Sequence, residues 1–288
     1  MTIRTKKNKT TARNIEKSKA ARKRNVTGLL DIMARLRGPS GCPWDKEQTA
    51  QTLKKFLIEE AYETLEAIET GTPEALKEEL GDLLLQIVFL SRIAEEKGEF
   101  GFSDVVHTLA EKLIRRHPHV FPPTGRNAVM PENARDVVKV WRTAKELEGK
   151  YAKRTSLIDD IPLALPALER AQRISQRVSR VGFDWPTIES VWEKIQEELA
   201  ELKRAARRSS RSAAEEELGD LLFTLVNWAR FKNISAEEAL RKSNRRFSKR
   251  FSQVEMELRR RGKTLEESTL EEMDHIWNMT KKAEKRRH

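Results

Sequence analysis

A six-residue string, Glu-Leu-Gly-Asp-Leu-Leu, occurs at 79–84 and again at 217–222, an interval of 138 positions. A second pair keeps the same interval, with Glu59-Glu60-Ala61-Tyr62-Glu63 set against Glu197-Glu198-Leu199-Ala200-Glu201. Two clusters displaced by one interval imply two copies of one structural unit. The strings also set its type. In "EELGDLLLQIVFL" (78–90) and "EELGDLLFTLVNWA" (216–229) the apolar residues recur at helical spacing. Helices are expected over 27–37, 49–69, 73–97, 103–117, 131–148, 163–180, 187–208, 212–231, 235–262 and 268–285. No period-two strand pattern stands out, so the fold class is all-α, a tandem repeat of two helical-bundle units.

Glycine and proline punctuate the chain at "RGPSGCPWDKEQ" (37–48), "HPHVFPPTGRN" (117–127) and "VGFDWPT" (181–187). The segment "GKYAKRTSLIDDIPLALP" (149–166) is the expected connection between the halves. The domain reading is a basic arm at 1–25, a first helical domain at 26–150, a linker at 151–166 and a second helical domain at 167–288.

The net charge of +11 first suggests nucleic acid. Its location changes that inference. Residues 1–25 hold ten Lys/Arg against Glu16 alone, leaving about +2 for the rest. The arm reads as a solvated, disordered charge run; a nucleic-acid contact or a targeting role through it is the alternative. Hydrophobic residues make up 38% and charged residues 35%, the profile of a soluble helical protein. No transmembrane run and no secretory apolar core are found. The single cysteine, Cys42, excludes an internal disulfide framework and fits a reducing, cytoplasmic compartment.

An aspartate inside "LGDLLL" opposes both helix propensity and burial. Glu198 and Glu201 are three apart on one helix, and Glu217 and Asp220 are three apart on the next, so each pair shares a helix face. Folded back as a hairpin, the two helices bring four carboxylates to one patch. Glu60, Glu63, Glu79 and Asp82 do the same in the first copy. Anions so placed require raised pKa values or a cation between them. All-oxygen ligands suit a hard divalent ion, Mg²⁺ or Mn²⁺. A ferritin-type di-iron centre is disfavoured because no histidine follows the glutamates at i+3. The competing reading of any one "EExxE" is a solvated helix face; Glu59, Glu78, Glu197 and Glu216 are assigned to solvent or to a supporting layer. Nearby cations are Lys194, Arg246 and Arg250 in the second half, and Lys112 and Arg116 in the first. Trp277 either stacks on a base or fills a core. His117 and His119, with proline between them, read as a structural loop rather than a metal pair.

Together "GCPWDKEQT", "LIEEAYE", "EELGDLLLQIVF", "RRHPHVF", "DDIPLALPALERAQ", "VGFDW" and "NRRFSKRF" resemble the two-domain bacterial form of the MazG nucleoside triphosphate pyrophosphohydrolases, all-α NTP pyrophosphatases related to dimeric dUTPases. The resemblance covers about 27–285. It implies Mg²⁺-dependent hydrolysis of an NTP or dNTP between the α and β phosphates to NMP and pyrophosphate, cleansing the nucleotide pool. It implies metal ligands at Glu198, Glu201, Glu217 and Asp220, and triphosphate contacts at Lys194, Arg246, Arg250 and Trp277. The first copy matches at Glu60, Glu63, Glu79, Asp82, Lys112 and Arg116. Glu197 or Glu198 is the expected proton acceptor. The chain departs from the family's pattern at Ala213 and at Arg246, both positions where the family carries lysine, and at Phe56, the counterpart of Lys194. Phe56 makes the first copy the less complete one, so the second is expected to be the better catalyst. A non-catalytic binding protein acting through its basic arm is the competing class. A P-loop and a G-x-G-x-x-G loop are both absent. Leu221, Leu222, Leu225 and Val226 are expected to bury an apolar face against a partner, giving a homodimer.

Overall fold

The computed structural model describes residues 25–122, 130–146, 155–207 and 210–285. The basic arm up to residue 24, the stretch 123–129 of the His-Pro-His loop and positions 149–154 of the expected linker lie outside the described residues. The described residues form eleven helices and no strand. The chain divides into two compact units between Lys145 and Glu146.

The first unit contains α1 (Val26–Leu36), α2 (Pro43–Glu47), α3 (Lys54–Thr70), α4 (Pro73–Glu96), α5 (Phe102–Arg116) and α6 (Ala134–Glu146). The second contains α7 (Ala167–Ser179), α8 (Ile188–Arg207), α9 (Arg211–Phe231), α10 (Ala236–Arg260) and α11 (Leu270–Lys285). The order repeats: a leading helix, a hairpin of two long helices, a basic helix, and a closing helix with a tryptophan, Trp141 or Trp277.

Local chemistry explains the boundaries. The α3–α4 turn is Gly71-Thr72. A Cβ on Gly71 would lie 2.6 Å from the Ala67 carbonyl oxygen, so only glycine fits that close approach. The Thr72 hydroxyl accepts the Ala75 N–H at 3.3 Å, and Pro73 takes the first helical position, where its missing N–H costs nothing. Asn25, Ser210 and Ser235 cap α1, α9 and α10 in the same way, each accepting an N–H from three residues on.

Two boundaries differ from expectation by more than fraying. The helix expected from 49 begins at Lys54, because the hydroxyls of Thr49 and Thr52 exchange hydrogen bonds with each other's backbone N–H and hold a turn there. The helix expected from 163 begins at Ala167, after Pro162 and Pro166 have stiffened the approach. Conversely, the loop expected at 37–48 contains the short helix α2, started by Pro43.

In the first unit α1, α3 and α5 pack on α4. The core is Met33, Leu53, Val88, Phe89 and Ile93, with Leu29, Phe56, Leu84 and Leu85 against it. Each such buried side chain contributes about 1.5–3 kcal/mol. In the second unit α9 packs on α7, α8 and α10, and α10 packs on α11 through Val254, Leu258 and Ile276. Between α7 and α10, the buried Gln172 amide donates to the Ile234 carbonyl and accepts the Ala236 N–H, both at 2.9 Å.

Candidate metal and nucleotide site

The hairpins bring the repeated carboxylates together. In the first unit, oxygens of Glu60 on α3 and of Glu79 and Asp82 on α4 all lie within 4.8 Å of one another. In the second, the same holds for Glu198 and Glu201 on α8 and Glu217 on α9. The triads are not copies atom for atom. Asp82 completes the first, whereas Glu201 completes the second. Their counterparts, Glu63 and Asp220, stand at the margin and act on the triads through their charge.

Burial is distributed differently from expectation. Asp82 is half-buried and Asp220 is exposed, because the string containing each has one solvent-facing side. The desolvated member is Glu198, only 5% exposed. Glu59, Glu78, Glu197 and Glu216 face solvent.

The electrostatics follow from this crowding. Desolvation, then the charges of Asp82, Glu63 and Glu59, push Glu60 above the usual carboxylate value. Desolvation, then Glu63, Asp82 and Glu78, raise Glu79. Glu217 is raised by desolvation and by Glu201, Glu198, Asp220 and Glu216. Repulsion of this kind is relieved by a proton or a cation.

The other residues singled out from sequence divide into two groups. Lys194 sits at the triad: its Nζ is 2.7 Å from Glu198 Oε1 and 2.9 Å from Glu197 Oε1. These two bonds, Glu198 first, raise the lysine's pKa. Arg250 and Trp277 instead meet each other across α10 and α11. The guanidinium lies 5.8 Å from the indole centroid and pairs with Glu284 at 2.8 Å. Trp277 packs on Val254, Leu258 and Ile276 and lies 5.0 Å from the Phe247 ring, so it serves as a half-buried core residue with one open side. Arg246 is exposed one turn before Arg250, and Lys112 and Arg116 lie one turn apart on α5. His117 turns its ring against Trp141 at 4.9 Å, and its ring lies 5.6 Å from that of His119.

Sequence reading missed Gln86. It lies one turn after Asp82 on the same face of α4 and is 5% exposed. Its Nε2 is 3.5 Å from Glu60 Oε1, and its Oε1 is buried without a partner. The residue 138 positions on is Thr224, also buried, whose hydroxyl donates to the Asp220 carbonyl at 2.9 Å. The available signal was a polar side chain four positions from the aspartate in an otherwise apolar run.

The model of the MazG nucleotide pyrophosphohydrolase domain matches the chain twice, at residues 48–121 and 186–254. Each match contains one carboxylate hairpin. The nucleoside triphosphate pyrophosphohydrolase/pyrophosphatase MazG of Thermotoga maritima is 47% identical over 88% of this chain and 94% of its own length. The nucleoside triphosphate pyrophosphohydrolase of Escherichia coli K12 is 44% identical over 90% of this chain and 98% of its own length. Among solved structures, the mazG-related protein of Thermotoga maritima aligns with 42% of this chain and 99% of its own length, at 26% identity and a TM-score of 0.35. With both hairpins matched by one domain model and nearly the whole length shared with two relatives at this level of identity, the chain belongs to the MazG nucleotide pyrophosphohydrolase family.

Proposed function

We propose that the chain hydrolyses nucleoside triphosphates, ribo- or deoxyribo-, between the α and β phosphates, releasing NMP and pyrophosphate with a divalent cation, Mg²⁺ or Mn²⁺. The observation that carries this reading is the pair of carboxylate triads, each closed to within 4.8 Å, at equivalent places in the two units. The names of the relatives, nucleoside triphosphate pyrophosphohydrolases over nearly their whole length, support the same substrate class.

The donor set fits a hard cation. Every ligand is a carboxylate oxygen, like charges crowd Glu60 in the first triad, and the buried Gln86 Oε1 next to Glu60 lacks a partner; in the second triad Lys194 and Arg204 already pair with Glu198 and Glu201. In the second unit Glu198, Glu201 and Glu217 would hold the ion, with Asp220 beside them; in the first, Glu60, Glu79 and Asp82, with Glu63 beside them. When bound, the cation neutralises phosphate charge and binds the leaving pyrophosphate.

The remaining work falls to side chains of the chain. Water adds to the α phosphorus, the bond from that phosphorus to the bridging oxygen breaks, and its electron pair leaves with pyrophosphate. Glu197, exposed and adjacent in sequence to Glu198, is the first candidate to accept the water's proton; Glu198 is the other. Lys194, Arg246 and Arg250 supply positive charge to the triphosphate, and the open side of Trp277 offers a stacking surface. The second unit is the principal catalyst, since Phe56 stands where Lys194 supplies a cation. A homodimer covers the exposed Leu218, Leu222 and Leu225 of α9 and the exposed Leu80 and Ile87 of α4. Among the described residues no helix is long and apolar enough to cross a membrane.

The test is a product analysis with each NTP and dNTP in the presence of Mg²⁺. NMP plus pyrophosphate is the expected outcome; NDP plus orthophosphate overturns the proposal.

A further inference from the structure

We infer that Lys194 is a resident counter-cation of the second carboxylate triad, which a divalent ion must displace, and that this makes metal and triphosphate binding interdependent in the second unit but not in the first. The inference rests on the metal reading above and goes beyond it in assigning Lys194 to the ligands as well as to the substrate.

The geometry is specific. Glu198 is the most buried carboxylate of either triad, with a side chain only 6% exposed. An isolated carboxylate at that depth is costly, and Lys194 offsets the cost with a charge-assisted bond of 2.7 Å. A second bond, 2.9 Å to Glu197, holds the ammonium at the outer side of the triad. The lysine thus occupies one of the two oxygens of the most buried candidate ligand. An ammonium and a divalent cation cannot both be in contact with Glu198 Oε1 without strong repulsion.

Among the described residues the first triad has no such ion pair. Its equivalent position is Phe56, whose ring packs edge-on against Trp44 at 6.0 Å and joins the unit's core. Gln86 approaches Glu60 instead, and an amide brings no net charge. A divalent ion therefore enters the first triad without evicting a cation. In the second it must break the Lys194–Glu198 bond, and a triphosphate then offers the freed ammonium a new partner. Substrate and metal each lower the other's cost there, which is a reciprocal coupling. Lys194 is in this respect a positioning residue as well as a phosphate ligand.

The experiment is Mn²⁺ binding to the full-length chain, followed by electron paramagnetic resonance and calorimetry, without turnover. Glu60→Gln/Asp82→Asn isolates the second triad, and Glu217→Gln/Asp220→Asn isolates the first. In the background retaining the second triad, Lys194→Met is expected to tighten nucleotide-free Mn²⁺ binding about tenfold. It should also abolish the further tightening that a nonhydrolysable NTP analogue produces. In the background retaining the first triad, Phe56→Lys is expected to weaken Mn²⁺ severalfold. Unchanged or weaker Mn²⁺ affinity in Lys194→Met overturns the inference while leaving the metal reading intact. Failure of every background to bind Mn²⁺ overturns the metal reading, and the inference with it. Circular dichroism on each variant separates misfolding from loss of a ligand, and Lys194→Gln provides a second neutral replacement if the methionine variant does not fold.

Discussion

The guanidinium of Arg37, at the end of α1, grips the carboxylate of Glu96, at the end of α4, with Nη2 2.7 Å from Oε2 across 59 positions of sequence. The arginine side chain is only 7% exposed, and it also donates to the backbone carbonyls of Asp45 and Gln48. One side chain therefore ties α1, α2 and α4 together, and its planar face lies over the Phe89 ring at 5.3 Å.

Replacing Arg37 by Met removes a buried donor from the Asp45 and Gln48 carbonyls and leaves Glu96 with Arg92 alone, and is expected to cost the first unit about 2 kcal/mol in urea melts near neutral pH. The pH dependence has a definite sign. Hydrogen bonds from Arg37, then from Arg92, hold Glu96 below the ordinary carboxylate value of 4.5. Its contribution is thus fully present above that value and is lost as pH falls through the lower, folded-state value. The stability gap between the native chain and Arg37→Met should be constant in neutral solution and shrink in acid. A gap that widens on acidification contradicts the assignment.

The repeat made most of the fold legible in the sequence, because two strings at one interval fixed both the hairpins and the faces they present. Helical periodicity placed the elements within a few residues. It failed where turn chemistry competed, at Thr49–Thr52 and at Pro162–Pro166, since a hydroxyl or a fixed φ overrides a marginal apolar pattern. Which carboxylates share a helix face was legible for the same reason as the hairpins; which three of each four close together was not. Burial within it was not: spacing assigns a face to Glu198 and Asp220 but cannot say that packing desolvates the former and leaves the latter wet. Val226, expected on the outer face, is buried, because it lies about one hundred degrees around α9 from Leu225 and points at the neighbouring helices. The Arg37–Glu96 bond was invisible, since nothing local marks a partner that far away in the chain.

Glu217→Gln separates function from stability. Burial and four neighbouring carboxylates raise the Glu217 pKa, so its ionised form is disfavoured in the metal-free fold. A neutral amide of the same shape removes that repulsion. The metal-free variant is expected to melt at a higher temperature than the native chain, while pyrophosphate release falls on the order of 10²-fold. Calorimetry without added metal, alongside a pyrophosphate assay, reads both. A lower melting temperature would mean that Glu217 makes attractive contacts which outweigh the crowding.

Gln172→Leu probes the seam between α7 and α10. The amide satisfies two backbone groups, the Ile234 carbonyl and the Ala236 N–H, at the start of α10. Leucine of similar volume keeps the packing but leaves both groups without their side-chain partner at a site where Gln172 is 8% exposed. The expected cost is about 2 kcal/mol, seen as a lower denaturation midpoint for the second unit. Hydrogen exchange at the first turn of α10 should quicken more than exchange in α8. Uniform loss of protection would point instead to a packing defect.

The last prediction concerns the outer face of α9. Leu218, Leu222 and Leu225 are 46%, 43% and 40% exposed and stand at i, i+4 and i+7, one continuous apolar stripe. Of the residues 138 positions earlier on α4, Leu80 and Ile87 are likewise exposed, while Leu84 packs against the core. Water on such a stripe is unfavourable by about 25 cal/mol per Å², so association with a second copy is the expected outcome. Leu222→Glu places a charge at the centre of the stripe without touching the carboxylate triad or the buried side of α9. Light scattering should show the native chain as a dimer and the variant shifted toward monomer, with helicity unchanged. A native chain that is monomeric at all concentrations would mean that the stripe is covered in some other way, and the variant would then alter nothing but solubility.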